Sequence, residues 1–288
     1  SALSGGTLVG CENVAIGSST MDALTSGKHN IALGAGALGA ATDNMCNIAI
    51  GINALAGSAN DADRNIAIGE SALGGADVSG SFNIAIGISA ADATTTGACN
   101  IAIGENAYGA AAAGANNIAM GKTAMGGALV TGADNFAVGQ NALDALTSGN
   151  CNIAIGIDAL GAATIAGRSI AIGETAMGGI TTGAANENIG IGKEALKGAA
   201  ATTGDRNIAI GTAAMDALTT GCDNIAMGID ALGDATTGCF NVALGYLAMD
   251  KATTVSCNVG IGLHALGDCI VTGTGNIGMG VAALRKTT

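Results

Sequence analysis

Asn207-Ile208-Ala209-Ile210-Gly211-Thr212-Ala213-Ala214-Met215-Asp216-Ala217-Leu218-Thr219-Thr220-Gly221-Cys222-Asp223 is one complete phrase, and Asn224-Ile225-Ala226-Met227-Gly228 begins it again. The same opening starts at Asn13, Asn30, Asn47, Asn65, Asn83, Asn100, Asn117, Asn135, Asn152, Asn188, Asn207, Asn224, Asn241, Asn258 and Asn276, with Ser169 standing in once. Successive starts lie 17, 18 or 19 residues apart, and 17 is the commonest spacing. Self-similarity at such a period means that each repeat is one supersecondary unit stacked on its neighbours.

Counting the Asn as position zero, position one is Ile, Val or Phe and position three is Ile, Leu, Val or Met. Position two is Ala, or Gly at Gly190, Gly260 and Gly278, and position four is Gly in every copy. Period-two alternation rich in β-branched residues predicts a short strand, too brief for a helix and ended by its Gly. The chain therefore reads as an all-β parallel β-solenoid of about 16 coils of 17–19 residues. The array occupies 13–284, with an N-terminal edge segment at 1–12 and a C-terminal tail at 285–288. With strands ~4.8 Å apart, sixteen rungs would make a rod on the order of 75 Å long. A one-residue slip would exchange the Ile and Ala faces in every rung, so the register is specified.

The face opposite the aliphatics never exceeds a methyl group, as at Ala32, Ala49, Ala67, Ala85, Ala102 and Ala119. A solvated strand face would carry varied polar residues instead. Something packs closely on both faces: one lines the coil, and the other meets a second layer or another chain. We expect the Ala face to be buried between chains or layers, with three chains sharing such faces, most simply in a trimer around a common axis.

The Gly at position four predicts a positive φ or a corner too crowded for a Cβ. Positions five and six are variable and often polar (Glu70-Ser71, Lys122-Thr123, Gln140-Asn141, Lys193-Glu194), which predicts an exposed turn. A second apolar element opens with Ala at position seven, Thr20 being the exception, followed by Leu, Met, Ala or Tyr. The coil closes through polar stretches such as Thr202-Thr203-Gly204, Thr219-Thr220-Gly221 and Thr236-Thr237-Gly238, where all variation in length falls. The Asn residues would stack as a hydrogen-bonded ladder; the functional alternative is an exposed row that reads sugars or ions.

Composition agrees with a thin, repeated core. Aromatics are 2% while apolar residues are 49%, so small side chains must pack where backbones approach closely. Proline is absent, as a continuous hydrogen-bond ladder requires. With 22 acidic against 10 basic residues, net charge −12, the chain is a poor partner for nucleic acid or an anionic membrane. No apolar run reaches membrane-spanning length. It starts Ser1-Ala2-Leu3 without a signal-like segment, compatible with a processed product or a piece of a longer fibre.

The phrase Asn-Ile-Ala-Ile-Gly-x-x-Ala resembles the head repeat of trimeric autotransporter adhesins of the YadA type. It is also similar to the Asn-x-Ala-x-Gly-x-x-Ala-Leu…Thr-Thr-Gly arrays of phage tail fibres. The match runs from Asn13 to Leu284. The resemblance implies a left-handed β-roll, a homotrimer and attachment to a host or matrix surface. These coils are longer than the usual adhesin repeat, and no coiled-coil stalk or membrane anchor is visible.

Eight cysteines occur, and seven (Cys11, Cys46, Cys99, Cys151, Cys222, Cys239, Cys257) stand one or two residues before a repeat start. Cys222, Cys239 and Cys257 fall on three successive rungs, which permits a disulfide or a thiolate pair, although the repeat and not ligand geometry sets that spacing. Free thiols suit assembly in a reducing cytoplasm and favour the phage-like reading. Gly34-Ala35-Gly36-Ala37-Leu38-Gly39 satisfies a dinucleotide-loop pattern, but a Gly-rich array produces it by chance and no long helix follows. Asp61-Ala62-Asp63 lacks a calcium-loop continuation. His29 and His264 read as surface residues, without a Cys or carboxylate at ligand spacing. Glu70, Glu105 and Glu174 share one turn position a rung or more apart, as solvated groups do.

No catalytic residue, cofactor-binding residue or metal ligand is assigned, and no enzyme activity is expected. The expected function is a structural fibre or adhesin rod, on a virion or a cell surface, that binds a host glycan or protein receptor multivalently. One alternative is a monomeric ice- or surface-binding solenoid, suggested by Thr95-Thr96, Thr202-Thr203 and Thr253-Thr254 but interrupted at Val78, Ala112, Ala113 and Val130. Another is a self-assembling extracellular filament.

Overall fold

Three residues of each repeat form a strand: Val14–Ile16 in the first copy, Ile31–Leu33 in the second, Ile48–Ile50 in the third. The computed structural model describes residues 9–58, 62–75, 78–111, 113–181, 186–198, 203–267 and 273–284. Asp61, Ala112, Thr202, Cys269, residues 1–8 and the 285–288 tail lie outside them. The chain is an all-β parallel β-solenoid with one strand per repeat.

It comprises two compact units, Ser1–Ser148 and Gly149–Thr288. In the first, eight strands from Val14–Ile16 to Phe136–Val138 pair in sequence order; in the second, eight from Ile153–Ile155 to Ile277–Met279 do the same. Pairing is in register. Ile31 faces Ile48, Ala32 faces Ala49 and Leu33 faces Ile50, and the pattern holds where Ala171 meets Gly190 across a longer coil. Backbone bonds continue past the strand ends: Ile31 N–H donates to Asn47 O at 2.8 Å, and Gly51 N–H to Leu33 O at 2.8 Å.

The sheet's inward face is the Ala face. Ala102 and its equivalents from Ala32 to Ala243 are 0% exposed within a single chain, and this face packs against the residues of positions seven and eight. The Ala face is thus buried between two layers of one chain, as one alternative had it, which corrects the other, that three chains share it. The reason is the width of the coil. A β-carbon added at Gly190 would come within 3.0 Å of Ala195 O and 2.9 Å of Met177 Cγ, so the opposite wall leaves room for one methyl at most. The Ala face is close-packed, as inferred, and its partner is the chain's own return wall, while the aliphatic face is open in the single chain.

That wall is not a strand. Each coil carries left-handed residues at positions six, eight and minus one, as at Asn106 (φ 54°), Tyr108 (φ 55°) and Cys99 (φ 59°). For a residue with a β-carbon this conformation costs about 1–2 kcal/mol relative to its right-handed counterpart. Inter-rung bonds offset the cost: Leu38 N–H donates to Ala54 O at 3.0 Å and Asn53 N–H to Ala35 O at 2.9 Å. Position eight is Met, Leu, Tyr or Ala and never Ile or Val, as steric crowding of a β-branched residue at positive φ demands.

Candidate functional site

Three side-chain rows could carry function: the Asn row, the outward aliphatic row and the polar rim beside them. The Asn row is internal. Asn207 Nδ2 donates to Gly221 O at 2.9 Å on the following rung, and its Oδ1 accepts the Asn224 backbone N–H at 3.1 Å. Asn30, Asn100 and Asn241 repeat the arrangement, all at most 1% exposed. A carbonyl only accepts and a backbone N–H only donates, so each amide has one orientation. The row joins rungs and offers nothing to a sugar or an ion. Ser169 keeps part of the pattern, accepting Asn188 N–H at 3.3 Å.

Outward from the sheet stand positions one, three and five. In the first unit Ile31, Leu33, Ile86 and Ile88 are exposed, and Ile52 is 55% exposed; in the second Ile153, Met227, Ile229 and Tyr246 are exposed, and Ile157 is 51% exposed. Position five lies in an exposed turn, as expected. Its side chains extend the outward row past the corner Gly, and they are apolar at Ile52, Ile88, Ile157 and Ile229. Where position five is charged, neighbouring rungs pair: Lys122 Nζ lies 3.2 Å from Glu105 Oε2, and Lys193 Nζ lies 3.6 Å from Glu174 Oε2. Such exposed pairs add little stability, and they break the apolar face into stretches.

The rim at position minus one carries charge and aromatic groups. Arg206 Nε and Nη2 grip the Asp223 carboxylate at 2.7 and 3.0 Å, which holds that carboxyl below its ordinary range. Arg64 stands 5.4 Å over the Phe82 ring. His29 Nδ1 lies 2.7 Å from Glu12 Oε2 because both occupy this position on consecutive rungs. His264, read as a surface residue, is half-buried edge-to-face on Tyr246 at 6.0 Å. An open recess of about 260 Å³ in the second unit gathers Asp216, Asp230, Asp234, Asp250 and Lys251. Burial, then Asp230, pushes the Asp216 carboxyl up; burial does the same to Asp250, with Lys251 opposing it. Lys251 Nζ sits 2.8 Å from Asp234 Oδ2 and closes this cluster as an ion-pair network. Among the described residues no three His, Cys, Asp or Glu side chains are grouped as a metal site, and no helix is long and apolar enough to cross a membrane.

The paired threonines divide their roles. Thr219 Oγ1 donates to Thr236 O at 2.7 Å and Thr236 Oγ1 to Thr253 O at 3.0 Å, so the first Thr of each pair is turned into a rung-to-rung bond. Only the second, such as Thr220 or Thr237, is exposed. A flat double row of hydroxyls is therefore not presented. Tyr108 lies in the second apolar element, as expected, but its hydroxyl's partner was not foreseen. It takes the place of Leu or Met at position eight, lies buried, and its hydroxyl accepts Asn117 Nδ2 at 2.9 Å; burial pushes it up to about 12.

No family model, curated protein or solved structure matches this chain. The outward aliphatic face is the surface on which a functional reading rests.

Proposed function

We propose that this chain is a non-catalytic module of an attachment fibre, on a virion or a cell surface, and that it works as a homotrimer. One observation supports the reading above others: each unit leaves a row of Ile, Leu and Met side chains outside its sheet. Contiguous exposed apolar surface of this kind marks an interaction site in soluble proteins, and identical rows on identical chains are suited to cover one another in a closed symmetric assembly. The likeness of the Asn-Ile-Ala-Ile-Gly phrase to adhesin heads and tail-fibre arrays agrees with three chains. The acidic balance agrees with a surface protein that binds neither nucleic acid nor membrane.

In this reading the coils supply stiffness, because rung after rung repeats the Asn, Ala and Gly contacts with few substitutions. Attachment falls to side chains at the rim, which vary from copy to copy and would contact a host glycan or protein receptor. Three copies in fixed geometry raise avidity without a strong single contact.

Solution mass by light scattering tests the proposal. Three times the 27.2 kDa chain mass is expected at micromolar concentration. A stable folded monomer removes it, and an open-ended series of masses replaces it with a filament.

A further inference from the structure

Cys222 and Cys239 occupy the same position on consecutive rungs of the second unit, two residues before Asn224 and Asn241. Their Sγ atoms lie 2.7 Å apart. A disulfide needs Cα atoms about 4.4–6.8 Å apart, and in-register stacking supplies a spacing of about 4.8 Å. The backbone on both sides is held by the ladder. Asp223 N–H donates to Asp205 O at 3.1 Å, Phe240 N–H to Cys222 O at 3.1 Å, and Cys257 N–H to Cys239 O at 3.0 Å. Cys222 N–H points at Cys239 Sγ at 3.1 Å, and Cys239 N–H donates to Ser256 Oγ at 3.0 Å. The solenoid register thus puts the two sulfurs together, and both are half-buried, within reach of a small reagent. Cys46 and Cys99 have no such neighbour: the matching position on adjacent rungs is His29 or Arg64 for the first, and Phe82 or Asn116 for the second.

We propose that Cys222 and Cys239 form a thiol–disulfide exchange site whose substrate class is low-molecular-weight disulfides and whose product is a disulfide between two rungs. One thiol loses its proton, and the thiolate attacks a sulfur of oxidised glutathione. That S–S bond breaks, one glutathione thiol leaves, and a mixed disulfide remains. The second thiol then loses its proton and attacks the protein sulfur of the mixed disulfide, which releases the second glutathione thiol. Two protein thiols have given up two electrons and two protons, and the reagent has gained both. Hydrogen bonding to Cys239, and then burial, push the Cys222 thiol up to about 12, so the two sulfurs share a proton once the first thiolate forms. The bond closes a loop of one coil and prevents these rungs from separating.

The full chain is equilibrated in glutathione buffers of rising oxidised fraction, quenched with acid, alkylated, digested and analysed by mass spectrometry. The expected product is one Cys222–Cys239 cross-linked species, lighter by two hydrogens and reversed by dithiothreitol. Hydrogen exchange at backbone amides from Ile208 to Leu244 should slow in the oxidised chain, because opening between the rungs is barred. Cys222→Ser and Cys239→Ser should each abolish the cross-link, while Cys257→Ser leaves it intact. Serine is tolerated at this position, since Ser256 occupies it on the next rung. Recovery of Cys222 and Cys239 as separately alkylated or glutathionylated peptides in the most oxidising buffer overturns the proposal. So does a cross-link that joins Cys239 to Cys257 or one chain to another.

Discussion

Asn207 Oδ1 accepts two hydrogen bonds from Asn224, one from its backbone N–H at 3.1 Å and one from its side-chain Nδ2 at 3.0 Å. The amide of one rung thus terminates the backbone of the next, in a place that water does not reach. Asn207→Ala leaves the Asn224 N–H and the Gly221 carbonyl without these partners, and unpaired buried groups cost about 1–3 kcal/mol each. A loss of about 3 kcal/mol in chemical denaturation is expected. Asn207→Ser should lose less, because Ser169 shows that a hydroxyl can take the next N–H at 3.3 Å. Equal losses for Ala and Ser would mean that the ladder is not what holds the rungs.

Gly104 has φ +133°, and a β-carbon there would lie 2.6 Å from Gly121 O, a backbone atom of the following rung. Gly104→Val therefore meets a steric clash and a backbone conformation that L residues rarely adopt. A destabilisation of more than about 3 kcal/mol is expected. Gly156→Val should behave alike, with Gly173 O at 2.4 Å from the added carbon. Glu105→Ala next door removes only an exposed pair with Lys122, and should change stability by less than about 0.5 kcal/mol. Thermal melts of the three variants compare the corner with the turn directly.

The period, the strand, the corner Gly and the Asn ladder were all legible because each is a local pattern that recurs along the whole array, with Ser169 the one break in the Asn row. What could not be read was which face turns inward. Ile on one side and Ala on the other suggests an Ile core, since burying the larger side chain releases more apolar surface from water. The decision lies in coil width, which depends on the left-handed residues of the return wall. Position six carries Gly or Asn in some copies, as at Gly36, Asn53 and Asn106, but positions eight and minus one carry residues such as Leu38 and Cys99, which gave no sign of positive φ. Contacts such as Arg206 with Asp223 and Cys222 with Cys239 are legible only after the register is known, for they join residues 17 apart.

Asp216 and Asp223 should respond to acid with opposite signs. Burial, then Asp230, raises the folded-state pKa of Asp216, so below the unfolded value the carboxyl is protonated in both states and costs nothing. As pH rises through the raised value the folded state must ionise a group it would rather keep neutral, and stability falls. Asp216→Asn should therefore raise the melting temperature near neutral pH, with the gain disappearing below the ordinary carboxylate range. Asp223 is lowered, first by its hydrogen bond to Arg206. Its contribution is present above the unfolded pKa and is lost as pH falls through the lowered value, so Asp223→Asn should lower the melting temperature only on the neutral side. Parallel pH profiles for the two variants would contradict the assigned causes.

The two faces of one strand separate folding from assembly. Ala102 is wholly buried inside its own coil, and the equivalent Gly190 shows that even a methyl is tight there. Ala102→Leu adds three carbons to a space bounded by backbone, and overpacking of this kind costs about 1–3 kcal/mol or more. Loss of cooperative melting in the first unit is expected, whatever the oligomeric state. Leu33 and Ile86 lie on the outward face, 43% and 37% exposed in a single chain. Leu33→Asp with Ile86→Asp should leave the circular dichroism spectrum unchanged, since nothing inside the coil is disturbed. If partner chains cover that face, two carboxylates are desolvated at the contact, and the assembly mass should collapse to that of one chain. A double variant that keeps a trimeric mass would place the interface elsewhere, and one that unfolds would show that these side chains support the coil itself.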